Sequence, residues 1–132
     1  SPVPRTATVG PAPETTAALW NALPIVDRTI QTRWSGDAWR TEKNYELRPA
    51  DAPVENVAGR LSAGDIIYYP GHRNGLIKIG IAYGPAQWLN PFMKPIDVAL
   101  IGKIDTNLDA FVARCQRIIF EGPMDVEITR VE

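Results

Sequence analysis

The chain has 132 residues, 45% apolar and 22% charged, with a formal net charge of −1; this length and balance build one domain, residues 1–132, with its own core. One cysteine, Cys115, and one histidine, His72, exclude a disulfide framework and leave no ligand set for zinc, so neither a metal nor another cofactor is expected. Near-neutral charge removes the basic surface that nucleic acid requires, the apolar runs are too short for a membrane span, and with no signal peptide visible a cytoplasmic location is expected.

Residues 1–12 are rich in proline, so only Arg5–Val9 can be a short strand there. The run Pro13–Leu23 reads as a helix, with a proline in its first turn, Glu14 at its positive end and Pro24 stopping it. Its buried face is expected to carry Thr16, Trp20 and Leu23. Thr29–Trp34 alternates as a strand, and Trp39 and Tyr45–Leu47 suggest further strand pieces. Arg48–Ala63 reads as a loop.

Ile66–Tyr69 is a strand closed by a Pro70-Gly71 turn, and Asn74-Gly75 is a hairpin signal. Leu76–Tyr83 is the clearest strand: Ile77, Ile79, Ile81 and Tyr83 share one face and Lys78, Gly80 and Ala82 the other. Residues that small imply close approach by another element or a ligand. A strand follows at Val98–Ile104. Asp105-Thr106-Asn107 then offers cap chemistry for a helix over Leu108–Glu121, whose apolar positions are Leu108, Phe111, Val112, Cys115, Ile118 and Ile119. Gly122-Pro123 ends that helix, and Met124–Val131 alternates with Val126 and Ile128 inward. The charge is uneven along the chain. Residues 60–103 hold Arg60, Arg73, Lys78, Lys94 and Lys103 against Asp65 and Asp97, which suits either an anionic ligand or plain solvation.

Two helices and seven or eight short strands in one small domain point to a mainly β fold, a barrel or strongly curved sheet with helices over its open ends. Val9-Gly10-Pro11 leading into Pro13–Trp20 is similar to the strand-to-helix segment of cyclophilins, as is Ile101-Gly102-Lys103-Ile104 followed by Leu108-Asp109 to their later strand and turn. In combination, Arg33-Trp34-Ser35-Gly36-Asp37-Ala38-Trp39, Ala63-Gly64-Asp65, Tyr69-Pro70-Gly71 and Ile81-Ala82-Tyr83-Gly84 resemble the bacterial cyclophilin-like family called domain of unknown function 3830, over Arg5 to Val131. The resemblance implies a closed eight-stranded cyclophilin-like barrel capped by two α-helices. It implies no activity, since that family has no agreed one.

Two departures from cyclophilins matter. Arg33 follows Gln31-Thr32 where a prolyl isomerase has Phe-His, and no Gln-Gly-Gly-Asp segment exists, which sets prolyl isomerisation last among the readings. Cyclophilin-like chains open with a further strand before Arg5–Val9, and here only Ser1-Pro2-Val3-Pro4 precedes it, so that strand is lacking, trimmed away or supplied by a neighbour; the expectation taken forward is that another polypeptide completes the barrel edge, in a homo-oligomer or by docking on a partner as a non-catalytic subunit.

The leading reading is a barrel mouth that binds a small polar organic molecule, anionic or amide-like, and hydrolyses or isomerises it if it acts chemically. His72 is the candidate acid/base, because imidazole titrates nearest neutrality, and Arg33 the candidate clamp, because its fork matches a carboxylate. Trp34, Tyr69 and Trp88 are candidate ligand contacts, Trp88 because it precedes the loop Leu89-Asn90-Pro91-Phe92. Ser35, Lys78 and Asn90 complete the candidate set. Ser35 lacks the Gly-x-Ser-x-Gly elbow of a nucleophile, and Lys78, if it points inward, must pair or meet an anion. Cys115, on an apolar helix face, reads as a small core residue.

Overall fold

The computed structural model describes residues 7–9, 12–49, 51–70, 77–89 and 93–130. Along the chain run β1 (Ala7–Val9), α1 (Pro13–Ala22), β2 (Ile25–Gln31), a 3₁₀ turn (Arg33–Ser35), β3 (Gly36–Thr41), β4 (Val57–Ala58), β5 (Arg60–Leu61) and β6 (Asp65–Tyr69). Then come β7 (Lys78–Gln87), β8 (Val98–Ile104), α2 (Leu108–Gln116), α3 (Ile118–Glu121) and β9 (Asp125–Ile128). No helix among the described residues is long and apolar enough to cross a membrane.

All strand pairs are antiparallel, in the order β1-β8-β6-β7-β3-β2-β9, with β4 beside β8 and β5 beside β7. The mainly β class is as expected, but the closed barrel is not: among the described residues the ladders run from β1 to β9 without joining those ends. The reason lies in the last strand, which has four residues. Beyond it Arg130 donates to the Trp20 carbonyl oxygen at 3.0 and 2.8 Å and stacks 5.5 Å from the Trp20 ring, so the chain turns onto α1 rather than along β1.

One face of the sheet carries the helices. α1 lies over Ile25, Tyr68, Ile79 and Ile101, and α2 and α3 lie over Trp39, Ile81 and Tyr83 through Phe111, Cys115 and Ile118. Cys115 is the expected core residue, its Sγ accepting from Trp39 Nε1 at 3.3 Å. The expected helix over Leu108–Glu121 breaks at Arg117, where the turn swings Ile119 and Phe120 outward, leaving Phe120 88% exposed. α1 is also rotated from its expected face: Thr15 is buried and Trp20 exposed. Glu55 accounts for the rotation. Its Oε1 accepts from both the backbone N and Oγ1 of Thr15 at 2.7 Å, and its Oε2 from Glu14 N at 3.3 Å, so a loop carboxylate caps a helix start where Ala12 has no side chain able to. The Thr15 hydroxyl bond chiefly holds the Glu55 carboxyl below its ordinary range.

The other face is covered by the chain itself. Gly80 and Ala82 of β7 lie beside Ala38 of β3 and Ile67 of β6, and Trp88 folds back over them. A Cβ on Gly80 would stand 2.6 Å from the Trp88 ring, so the close approach expected from these small residues is made by this indole. A β-bulge permits the return. Between Ala38↔Ala82 and Gly36↔Ala86 the β7 strand advances four residues while β3 advances two, at a stretch containing Pro85, which has no N–H for a ladder.

Removing this ring should therefore cost about 3–5 kcal/mol in urea denaturation of Trp88→Ala. Gly80→Ala should destabilise the wild type by overpacking yet be accommodated once the ring is gone, so the double variant should be more stable than the sum of single losses. Strict additivity would show that the ring is not seated on Gly80.

Candidate functional site

The six candidate residues that are described do not gather around one cavity. His72 and Asn90 lie outside the described residues. Trp88 is 3% exposed in the core and not an aromatic on an open loop, and Tyr69 is buried in the same cluster. Trp34 and Ser35 belong to the 3₁₀ turn, where the expected strand stops three residues early at Gln31. Together they grip the peptide that follows Trp88: Trp34 Nε1 donates to the Leu89 carbonyl at 3.2 Å, and Leu89 N donates to Ser35 Oγ at 3.0 Å. Their polar atoms hold Trp88 in place, so of the mouth expected from Arg33, Trp34, Tyr69, His72 and Trp88, the four described residues do not form one cavity.

Lys78 does point inward and is 3% exposed. Its Nζ donates to the Glu42 carbonyl, beside a knot centred on the buried Asp27. Asp27 Oδ1 accepts from Arg28 N at 2.6 Å and Glu42 N at 3.1 Å, and Oδ2 from Lys43 N at 3.2 Å and from the Tyr45 hydroxyl. Burial alone would raise the Asp27 carboxyl; the Tyr45 bond and the three backbone donors outweigh it and hold it below the ordinary range. Burial, and after it the bond to Asp27, pushes the Tyr45 hydroxyl well up. Lys78 is pulled down by burial and by Arg40, while Asp27 and Glu42 act the other way through space. The ammonium is thus answered from within the protein, and its place in a ligand site gives way to a structural one.

Arg33 lines an open cavity. Between the end of β2 and the turn after α3 lies a groove of about 410 Å³, within the size range of small-molecule sites. Its walls include Ile30, Gln31, Arg33, Ile118, Ile119 and Pro123. The bulk of the wall is hydrocarbon, so the groove suits an apolar body. At its rim Arg33 Nη1 donates to Asp37 Oδ1 at 3.0 Å, an exposed pair worth little by itself. Inside, Gln31 Nε2 donates to the Tyr83 hydroxyl at 2.8 Å. Burial pushes that hydroxyl up and the Gln31 bond draws it back.

Gln31 is the residue that sequence reasoning missed. In an alternating strand it reads as a solvent-facing polar position, and nothing in its neighbourhood signals that β2 ends there against a helix about 90 residues further on.

Comparison with known proteins gives a family and a fold. The family described as "Protein of unknown function (DUF3830)" matches residues 7–130. Among solved structures, McbB in complex with tryptophan superposes with a TM-score of 0.71 at 18% identity, over 96% of this chain and 40% of that one. This chain therefore spans less than half the length of McbB, and identity that low establishes a shared fold alone. No curated protein matches the chain.

The Asp27 knot makes a pH-dependent prediction. Because the folded carboxyl is depressed, its contribution is complete above the unfolded carboxylate pKa of about 3.9 and is lost as pH falls through the folded value. Asp27→Asn should lower stability at neutral pH by about 1.5–3 kcal/mol and flatten the acid limb of stability measured by urea unfolding. A variant whose acid limb matches wild type would remove Asp27 from this role.

Proposed function

The chain belongs to this family of unknown function, which brings no activity with it, and we propose from the groove itself that the protein binds a small organic carboxylate between the end of β2 and α3. The observation that carries the reading is an apolar groove of about 410 Å³ with a guanidinium at its rim. Ile30, Ile118, Ile119 and Pro123 take the apolar body, and Arg33 takes the carboxylate. The ion pair with Asp37 uses one Arg33 nitrogen, and a guanidinium has five N–H donors, so a ligand carboxylate can share the group.

McbB, of similar fold, was solved with tryptophan, a molecule that joins a carboxylate to an apolar ring, and this supports the same pairing of features here. The reading is one of binding; an acid/base role for His72 with Arg33 as its electrostatic clamp would extend it to chemistry. A second reading, docking of a partner strand, is favoured by the edge of β1, which among the described residues pairs on one side only, with β8.

Calorimetric titration with phenylpropanoate tests the first reading. Binding should weaken about tenfold in Arg33→Ala, and the difference should shrink as salt is raised. Equal affinity in wild type and variant would take Arg33 out of the site.

A further inference from the structure

Arg33 does not stand alone at the rim. Its partner Asp37 lies in the bulged stretch of β3 between Gly36 and Ala38, and its side chain is 40% exposed, so the carboxylate is open to an incoming molecule. Gly84 of β7 sets where that carboxylate rests. A Cβ built on this glycine would stand 2.5 Å from Asp37 Oδ2 and 2.9 Å from Asp37 Cβ, so Asp37 occupies the space that any side chain at position 84 would need. The segments Arg33–Trp39 and Ile81–Gly84, both singled out in the sequence, therefore meet at one place. There they set a cation and an anion 3.0 Å apart beside an apolar groove.

Such a pair has no net charge, and this decides which ligands it favours. A simple carboxylate that comes to Arg33 also comes close to the Asp37 carboxylate, and the two anions repel. A ligand with an ammonium on the carbon next to its carboxylate brings both charges at once. Set antiparallel on the pair, it meets each charge with its opposite, and the repulsion becomes an attraction. The hydrogen-bonding capacity is sufficient. Asp37 Oδ1 accepts from one Arg33 nitrogen, while a carboxylate has about four acceptor sites and an ammonium three donors, so Asp37 can keep Arg33 and receive the ligand as well.

We propose that the Arg33–Asp37 pair makes the groove selective for zwitterions, namely α-amino acids with an apolar side chain. The carboxylate goes to Arg33, the ammonium to Asp37, and the side chain lies against Ile30, Ile118, Ile119 and Pro123. This rests on the groove reading above and narrows its ligand class from organic carboxylates to those that carry an adjacent cation. Asp37 is the specificity-determining residue, and Gly84 gives it room.

The test compares L-phenylalanine with 3-phenylpropanoate, a pair matched except for the α-ammonium, by calorimetric titration of the full chain. Both groups of the pair are exposed, so the preference is modest: wild type should bind phenylalanine about fivefold more tightly. Asp37→Asn should weaken phenylalanine and tighten phenylpropanoate, opposite movements that damage to the fold does not produce. The wild-type comparison decides the matter even if the variant does not fold. Equal or weaker binding of phenylalanine in wild type, with phenylpropanoate weakened in Arg33→Ala, overturns the role of Asp37 and leaves the groove reading standing. A preference that survives intact in Asp37→Asn overturns that role as well. Binding of neither probe overturns both.

Discussion

An indole ring resting on a glycine organises much of this molecule. Gly80 offers β7 no side chain, a bulge of four residues against two turns the end of that strand back on itself, and Trp88 fills the space left open. Everything on that face of the sheet follows from the arrangement. Trp34 and Ser35 are committed to holding Leu89, Tyr69 is packed beneath with Ile67, and the face is closed to ligands by its own chain. Arg33 lines an open groove where β2 ends and α3 turns away.

Buried polar groups carry the second layer of order. Asp27 gathers the backbone N–H groups of Arg28, Glu42 and Lys43 and the Tyr45 hydroxyl, and so ties β2 to the chain beyond β3. Glu55 does the same for the start of α1, from a loop forty residues away. In both places one carboxylate satisfies several donors that the backbone itself leaves open, which is how irregular chain can be buried without leaving its amides bare. Lys78 belongs to this layer too, its ammonium meeting the Glu42 carbonyl inside the protein.

Much of the fold was legible where local pattern and tertiary demand agree. The strand Val98–Ile104, the helix opening at Pro13 and the small-residue face of β7 are all as periodicity and end signals suggest. Failures came where a distant residue decides the outcome. Glu55, forty residues away, holds Thr15 on the buried side of α1, and Arg130 draws the chain beyond β9 to Trp20. Side-chain type was a poor guide to the site for a related reason. Trp88 and Lys78 have the chemistry of ligand contacts, and the fold spends that chemistry on itself, whereas Gln31 looks like an ordinary surface amide until the strand end and Tyr83 close around it.

The groove thus combines a hydrocarbon wall with Arg33 at its edge, features contributed by segments far apart in the chain. A ¹⁵N-resolved NMR titration of the full chain with an aryl carboxylate maps its occupation directly. The account predicts that shifts concentrate on the amides of Thr29, Ile30, Gln31 and Arg33 and of Ile118, Ile119 and Gly122. Shifts centred instead on Tyr69, Lys78 and Trp88, or none at saturating ligand, would contradict it.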